Sequence, residues 1–345
     1  MRIFVSEYLT CGAMSDEPDV PVSLLNEGRA MHAAIVTDFA SLDGVEVVTT
    51  WDDRLPPPSF PRNVSVRLAN SVRTEREYFL AESRTACYTF VIAPEFENLL
   101  AERWEWVASV GGRWLGSDAD AIAICSDKLA TSRRLRSDLL PMVETSLIED
   151  QSLPPWDWPV VVKPRDGAGS LNVRRIDSHF QWSEMLLSRS KADMHRPELV
   201  QPFVAGQAIS VGVIVDPDDT LHVLPTAVQH LSDDGCFAYT GGEISAEHFA
   251  HLSAEITRLV ERIDQAIPGL GGYFGIDLIA QDDSLTIIEI NPRLTTSYLG
   301  YRKLTIENLA ERLVYAGVKD PVRWQTGPVR FTPDQTANAN QSQRR

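Results

Sequence analysis

Two apolar stretches that carry acids constrain this chain more than anything else in it. Gly275 to Ala280 and Leu285 to Ile290 each read as a strand, the second leading into Asn291-Pro292-Arg293, and the polar turn Gln281-Asp282-Asp283-Ser284 joins them as a hairpin. Side chains alternate along a strand, so Glu289 and Asn291 share a face, and closing the hairpin brings Asp277 beside Glu289. Two carboxylates among apolar residues are unfavourable unless a cation neutralises them. Oxygen ligands of this kind suit Mg²⁺, with Mn²⁺ as an alternative, held by one or two carboxylates together with phosphates and water. Arg293 follows as a planar donor for a phosphate or an acyl phosphate. For Asp277 alone a surface hairpin with solvated acids is the simpler reading; the combination favours the metal.

Lysine is scarce in this chain, occurring only as Lys128, Lys163, Lys191, Lys303 and Lys319. Lys163 closes the apolar run Val160-Val161-Val162, and Pro164 after it aims the ammonium toward the loop Asp166-Gly167-Ala168-Gly169-Ser170. Such a loop exposes backbone N–H groups that can cradle a phosphate, although alone it is more often only a turn. Lys128 stands in the first turn of a helix expected over 127–140, capped by Ser126 and stopped by Pro141. A cation there opposes the helix dipole unless an anion arrives, and an ordinary solvated lysine fits as well.

Further strands are expected at 3–5, 45–48, 88–93, 199–200 and 208–215, and helices at 24–39, 97–110 and 252–267. Strands alternating with helices indicate the α/β class. A chain of 345 residues suggests about two domains. From 326 onward the apolar periodicity fades, and the tail 326–345 is expected to be disordered. The net charge of −16 argues against nucleic acid, whose affinity comes from clustered cations. Four cysteines with no CxxC pair fit a reducing cytoplasm, and no apolar run reaches the about 18 residues of a membrane span.

Taken in order, Ser126-Asp127-Lys128, Val161-Val162-Lys163-Pro164 with the loop behind it, Leu199-Val200-Gln201 through to Gly206, Gly275-Ile276-Asp277 and Glu289-Ile290-Asn291-Pro292-Arg293 resemble the ATP-grasp superfamily over about 118–313. The resemblance implies an ATP-grasp fold of two α+β lobes at 118–325, with a hinge near 199–206, after a Rossmann-like domain at 1–117. It implies that Lys128 and Lys163 hold the phosphates of ATP while the loop of Gly167, Ala168, Gly169 and Ser170 closes over them. Val200, Gln201 and Phe203 would touch the adenine, Asp277, Glu289 and Asn291 would carry Mg²⁺, and Arg293 would stabilise the transferring phosphoryl group. Pro202 and Gln207 stand where the family often has acids, which leaves the ribose contacts open.

The longer string Asn291-Pro292-Arg293-Leu294-Thr295-Thr296-Ser297-Tyr298, with Tyr239-Thr240-Gly241-Gly242-Glu243, Asn26-Glu27-Gly28 and Ala93-Pro94-Glu95, is similar to the tyramine-glutamate ligase family, which joins glutamate to an aromatic amine in methanofuran biosynthesis. This likeness implies an ADP-forming carboxylate-amine ligase that works through an acyl phosphate on small molecules, and a homodimer. Glu7, Glu95 and Glu97 are candidate contacts for the amine, against the plainer reading of solvated acids. The alternatives are another ATP-grasp ligase or carboxylase with a different substrate, and a nonenzymatic nucleotide-binding regulator. A regulator can lose its acids, Asn and Arg freely, and this chain has kept the set.

Overall fold

The computed structural model describes residues 1–17, 20–148, 153–167, 170–188, 197–318 and 320–332. Among these the strands form three sheets. The first is parallel, with β1 (Arg2–Glu7), β2 (Glu46–Asp52), β3 (Val64–Ala69) and β4 (Tyr88–Ile92) in the order β3-β2-β1-β4. Alternation in β1 sends Ile3 and Val5 to a core with α1 (Val22–Ala40) and Phe4 to one with α2 (Val72–Thr85) and α3 (Leu99–Ser109). Both faces are thereby covered, as a parallel sheet requires. The strand order reverses between β1 and β4, and in such sheets ligands collect in the crevice outside the carboxyl ends of the two strands. Glu7 ends β1 at that crevice, and Glu95 lies just beyond β4.

Neither β3 nor α2 was expected. In β3 only Ala69 is buried, and α2 buries Glu75, Phe79, Glu82 and Ser83, so apolar periodicity gives no signal there. The helix expected over 127–140 is present as α5 (Lys128–Ser137), but its cap is corrected. An unexpected helix, α4 (Ala119–Ser126), precedes it, and the two meet at Asp127, whose Oδ1 accepts from the N–H groups of Leu129 and Ala130 at 3.0 and 3.2 Å. Asp127 is therefore the cap, and Ser126 ends the helix before it.

The second sheet is antiparallel, with β5 (Ser146–Leu147), β6 (Val160–Pro164), β7 (Arg174–Ile176) and β8 (Glu198–Pro202) in the order β5-β8-β6-β7. Its apolar side packs on α6 (His179–Ser188) through Trp182 and Met185.

The third sheet holds β9 (Gln207–Val215), β10 (Leu221–Val223), β11 (Ala227–Leu231), β12 (Tyr239–Ile244), β13 (Gly272–Gln281), β14 (Ser284–Asn291) and β15 (Val329–Phe331). The path is β14-β13-β9-β11-β12-β15, with β10 pairing to β9. One face is closed by α7 (Ser253–Ala266), whose Ile256, Leu259, Val260 and Ile263 recur at helical spacing. The other packs with α8 (Tyr298–Leu304) and α9 (Glu311–Val314) into the same core as α1, so the parallel sheet and the large sheet share one apolar interior. Asp38 of α1 fastens the joint by accepting from Tyr298 Oη at 2.8 Å and from Arg302 Nη2 at 2.6 Å. The strand β15 corrects the expectation of disorder for residues 326–332, while 333–345 lie outside the described residues. Val329 and Phe331 flank an outward Arg330, and Phe331 lies opposite Gly242 of β12.

Candidate active site

A cleft opens between the small antiparallel sheet and the large one, and it gathers most of the residues expected from the sequence. The β13–β14 hairpin pairs Asp277 with Glu289 and Gly275 with Asn291, and a bulge follows Asp277. Asn291 Nδ2 donates to Asp277 Oδ2 at 3.0 Å, and Gln229 of β11 donates to Asp277 Oδ1 at the same distance. Burial, and then the neighbouring Glu289 carboxylate, push the Asp277 carboxyl up to about 6. A cation placed here would relieve both effects.

Two lysines stand near the acids. Lys128, in the first turn of α5, lies 3.0 Å from Glu289 Oε1 and donates to the Gly167 carbonyl at 2.5 Å. Lys163 ends the apolar run of β6 and is buried. Burial pulls its ammonium down to about 8; Glu289 and Asp277 work to raise it, while Lys128 lowers it further. Two cations beside two carboxylates, at the mouth of a loop, make a site that can accept a polyphosphate with its metal. Asp277, Glu289 and the amide oxygen of Asn291 fit a hard cation such as Mg²⁺, which prefers oxygen donors. Among the described residues no cluster of three or more His, Cys, Asp and Glu offers a softer site.

Arg293 lines the same cleft, and its guanidinium is paired to Glu95 from the segment after β4. Nη2 donates to Oε2 at 3.0 Å, while Nε and Oε1 approach to 2.9 Å without hydrogen-bond alignment. Burial pulls the Arg293 guanidinium down, and Glu95 outweighs it and holds it above its ordinary value. Glu95 thus orients Arg293 instead of lining the cleft, and Glu7 is likewise buried beneath α1. Glu97 is turned away, and its backbone N–H donates to Asp166 Oδ2 at 3.2 Å, tying this segment to the loop after β6.

Of the expected hinge residues, Gln201 and Phe203 line the cleft. Gln201 donates to Thr145 Oγ1 at 2.9 Å, and Phe203 stacks on Phe237 with ring centres 6.2 Å apart. Val200 does not join them. Alternation along β8 turns its side chain into the core with Trp182, so only its backbone is available to a ligand on the cleft side. Gly167 and Ser170 line the cleft, whereas Ala168 and Gly169 lie outside the described residues. Sequence reasoning did not single out Glu27, Gln229, Tyr239 and Phe331, which also line the cleft. Glu27 and Tyr239 lay within motifs already noted; nothing in the sequence pointed to Phe331.

Residues 125–297 match the ATP-grasp domain family and residues 45–122 the pre ATP-grasp 3 domain. The chain belongs to the ATP-grasp superfamily, and within it to the ligases that form an amide and release ADP. Over 335 residues it is 26% identical to a tyramine–L-glutamate ligase of Methanocaldococcus jannaschii, covering 96% of this chain and 94% of that one. It is 29% identical over 195 residues to a D-alanine–D-alanine ligase of Thermotoga maritima, covering 54% and 63%. Its fold matches the crystal structure of an ATP-grasp superfamily protein from Archaeoglobus fulgidus with a TM-score of 0.70 at 22% identity, covering 95% and 91%. No helix among the described residues is long and apolar enough to cross a membrane.

Proposed function

We propose that the protein joins the carboxylate of glutamate, or of a similar amino acid, to an aromatic amine through an acyl phosphate, as one step in assembling a methanofuran-like one-carbon cofactor. One observation carries the reading: Lys128, Lys163, Asp277, Glu289, Asn291 and Arg293 line one cleft, in which Lys128 pairs with Glu289 and Asn291 donates to Asp277. In this reading Lys128 and Lys163 hold the ATP phosphates, and the loop of Gly167, Ala168, Gly169 and Ser170 closes over them. Gln201 and Phe203 hold the adenine at a hinge near 199–206 between the two lobes of a unit at 118–325, which follows the unit at 1–117. Asp277, Glu289 and Asn291 hold Mg²⁺, which neutralises phosphate charge when bound.

A carboxylate oxygen attacks the γ-phosphorus in line, the bond to the β-bridging oxygen breaks, and ADP leaves. Arg293, already oriented by Glu95, offsets the charge on the transferring group. The neutral amine then attacks the acyl carbon, sheds a proton, and inorganic phosphate departs to leave the amide. Positioning and preorganised charge supply most of the acceleration in such transfers. The loop excludes water, which would otherwise hydrolyse the intermediate.

The test is phosphorus NMR of the protein with Mg²⁺-ATP, glutamate and a panel of amines, beside an Asp277→Ala, Glu289→Ala control. ADP and phosphate formed only when both carboxylate and amine are present, and absent in the control, are the expected result. AMP and pyrophosphate would overturn the acyl phosphate.

A further inference from the structure

Part of the cleft forms a recess lined by residues other than the lysines and acids above, and its chemistry differs from theirs. Glu27 reaches into it from α1, and its Oε1 accepts a hydrogen bond from Thr296 Oγ1. Lys128 is paired to Glu289 and Arg293 to Glu95; Arg293 is within electrostatic reach of Glu27, but among the described residues no basic side chain forms an ion pair with it. The rings of Tyr239 and Phe331 and the methyl of Ala227 line the recess. An acid facing two aromatic rings is unsuited to a carboxylate or phosphate. It suits an organic ammonium, which gains a charged hydrogen bond, aromatic faces and an apolar wall together.

Phe331 comes to this recess by a specific device. Its strand β15 pairs with the edge strand β12, opposite Gly242, and the ring lies between Gly242 and Gly300. A Cβ at either glycine would stand 2.6 Å from a ring atom, so both positions must stay bare for the ring to reach the floor. Phe331 is almost wholly buried and still lines the cleft.

We propose that this recess is the amine subsite, in which Glu27 receives the ammonium and Phe331 sets the room left for the amine's ring. The assignment rests on the reading above that an aromatic amine is the acceptor. Glu27 and Phe331 are specificity-determining residues outside the set that holds the phosphates and the metal, so their loss acts on the amine and spares the nucleotide.

The experiment is calorimetric titration of butylamine, 2-phenylethylamine, tyramine and tryptamine into protein carrying Mg²⁺ and a non-hydrolysable ATP analogue. It is run on the wild type, Glu27→Gln and Phe331→Leu. Gln keeps an oxygen for Thr296, and Leu keeps most of the apolar volume, so both variants retain the fold. Wild type binds the aromatic amines ahead of butylamine. Glu27→Gln weakens every amine by about 10- to 100-fold, the range of a lost charged hydrogen bond, with the analogue's affinity unchanged. Phe331→Leu shifts the preference toward tryptamine. Amine binding unaltered in both variants, or a parallel loss of analogue and amine, overturns the proposal. The two readings also separate. Glu27-dependent amine binding without turnover on glutamate sinks the carboxylate assignment and keeps this one, whereas amide synthesis with wild-type amine selectivity in both variants does the reverse.

Discussion

Thr49 Oγ1 lies 2.8 Å from the Val5 carbonyl, and that contact sets the direction of a buried hydrogen-bond chain. If Thr49 donates to Val5, its oxygen accepts from His32 Nε2 at 2.5 Å, which leaves His32 Nδ1 bare. Thr10 Oγ1, 2.7 Å from Nδ1, then donates to the histidine and has no hydrogen left for Glu7 Oε2, also at 2.7 Å. The hydrogen in that last contact belongs to Glu7, which is neutral. Burial agrees with this direction at both ends, pushing Glu7 from 4.5 up to about 7 and His32 from 6.5 down to about 3. Because the folded value of Glu7 lies above the unfolded one, its contribution to stability is present below pH 4.5 and is lost as pH rises through about 7. A shift from 4.5 to about 7 corresponds to about 3 kcal/mol at pH 8 and to about 1 kcal/mol or less at pH 5. Glu7→Gln mimics the neutral acid, since its amide oxygen still accepts from the Leu9 N–H and its amide nitrogen donates to Thr10. The variant is therefore more stable than wild type by about 3 kcal/mol at pH 8 and nearly equal to it at pH 5. Urea unfolding followed by tryptophan fluorescence reads this directly, since Trp51 stacks on His32. An equal gain at both pH values, or a loss at pH 8, would refute the direction of the chain.

Two other changes have definite outcomes. Arg103 is buried with Nη1 2.5 Å from Glu75 Oε1, and it lies 4.2 Å from the Trp106 ring centre. Arg103→Met strands the Glu75 carboxylate and destabilises by about 3–5 kcal/mol, most of which the added change Glu75→Leu restores; denaturant titration of both variants checks this. Lys163→Met removes one of the two cations facing Asp277 and Glu289, and weakens binding of Mg²⁺-ATP by about 10- to 100-fold, the range of a lost charge-assisted hydrogen bond. Calorimetry that finds the nucleotide bound as tightly as in wild type would remove Lys163 from the phosphate site.

The hairpin was legible because its two requirements are local: alternation places Glu289 and Asn291 on one face, and a short turn sets the register that pairs Asp277 with Glu289. The bulge after Asp277 leaves no mark in the pattern. Val200 turns its side chain to the opposite face of β8 from Gln201, as alternation along the strand already requires, so it meets the cleft through its backbone alone. The cap at Asp127 was missed for its neighbour Ser126 because both residue types cap helices, and only the preceding helix decides between them. β3 and α2 bury too few apolar side chains to show a period. Glu95 and Arg293, or Glu27 and Thr296, meet only after separate sheets have docked, and no local rule brings such pairs together.

The strand β15 also bears on when the site comes into being. Synthesis runs from the amino terminus, and Glu27 is made early, whereas Phe331 leaves the ribosome only after every other cleft residue. Until then β12 is an unpaired edge, open to pairing with another chain, and the recess has no floor. A nascent chain can therefore assemble its phosphate-facing hairpin well before its last wall, and proteolytic loss of a few residues around 331 would leave that hairpin standing beside an unfinished pocket.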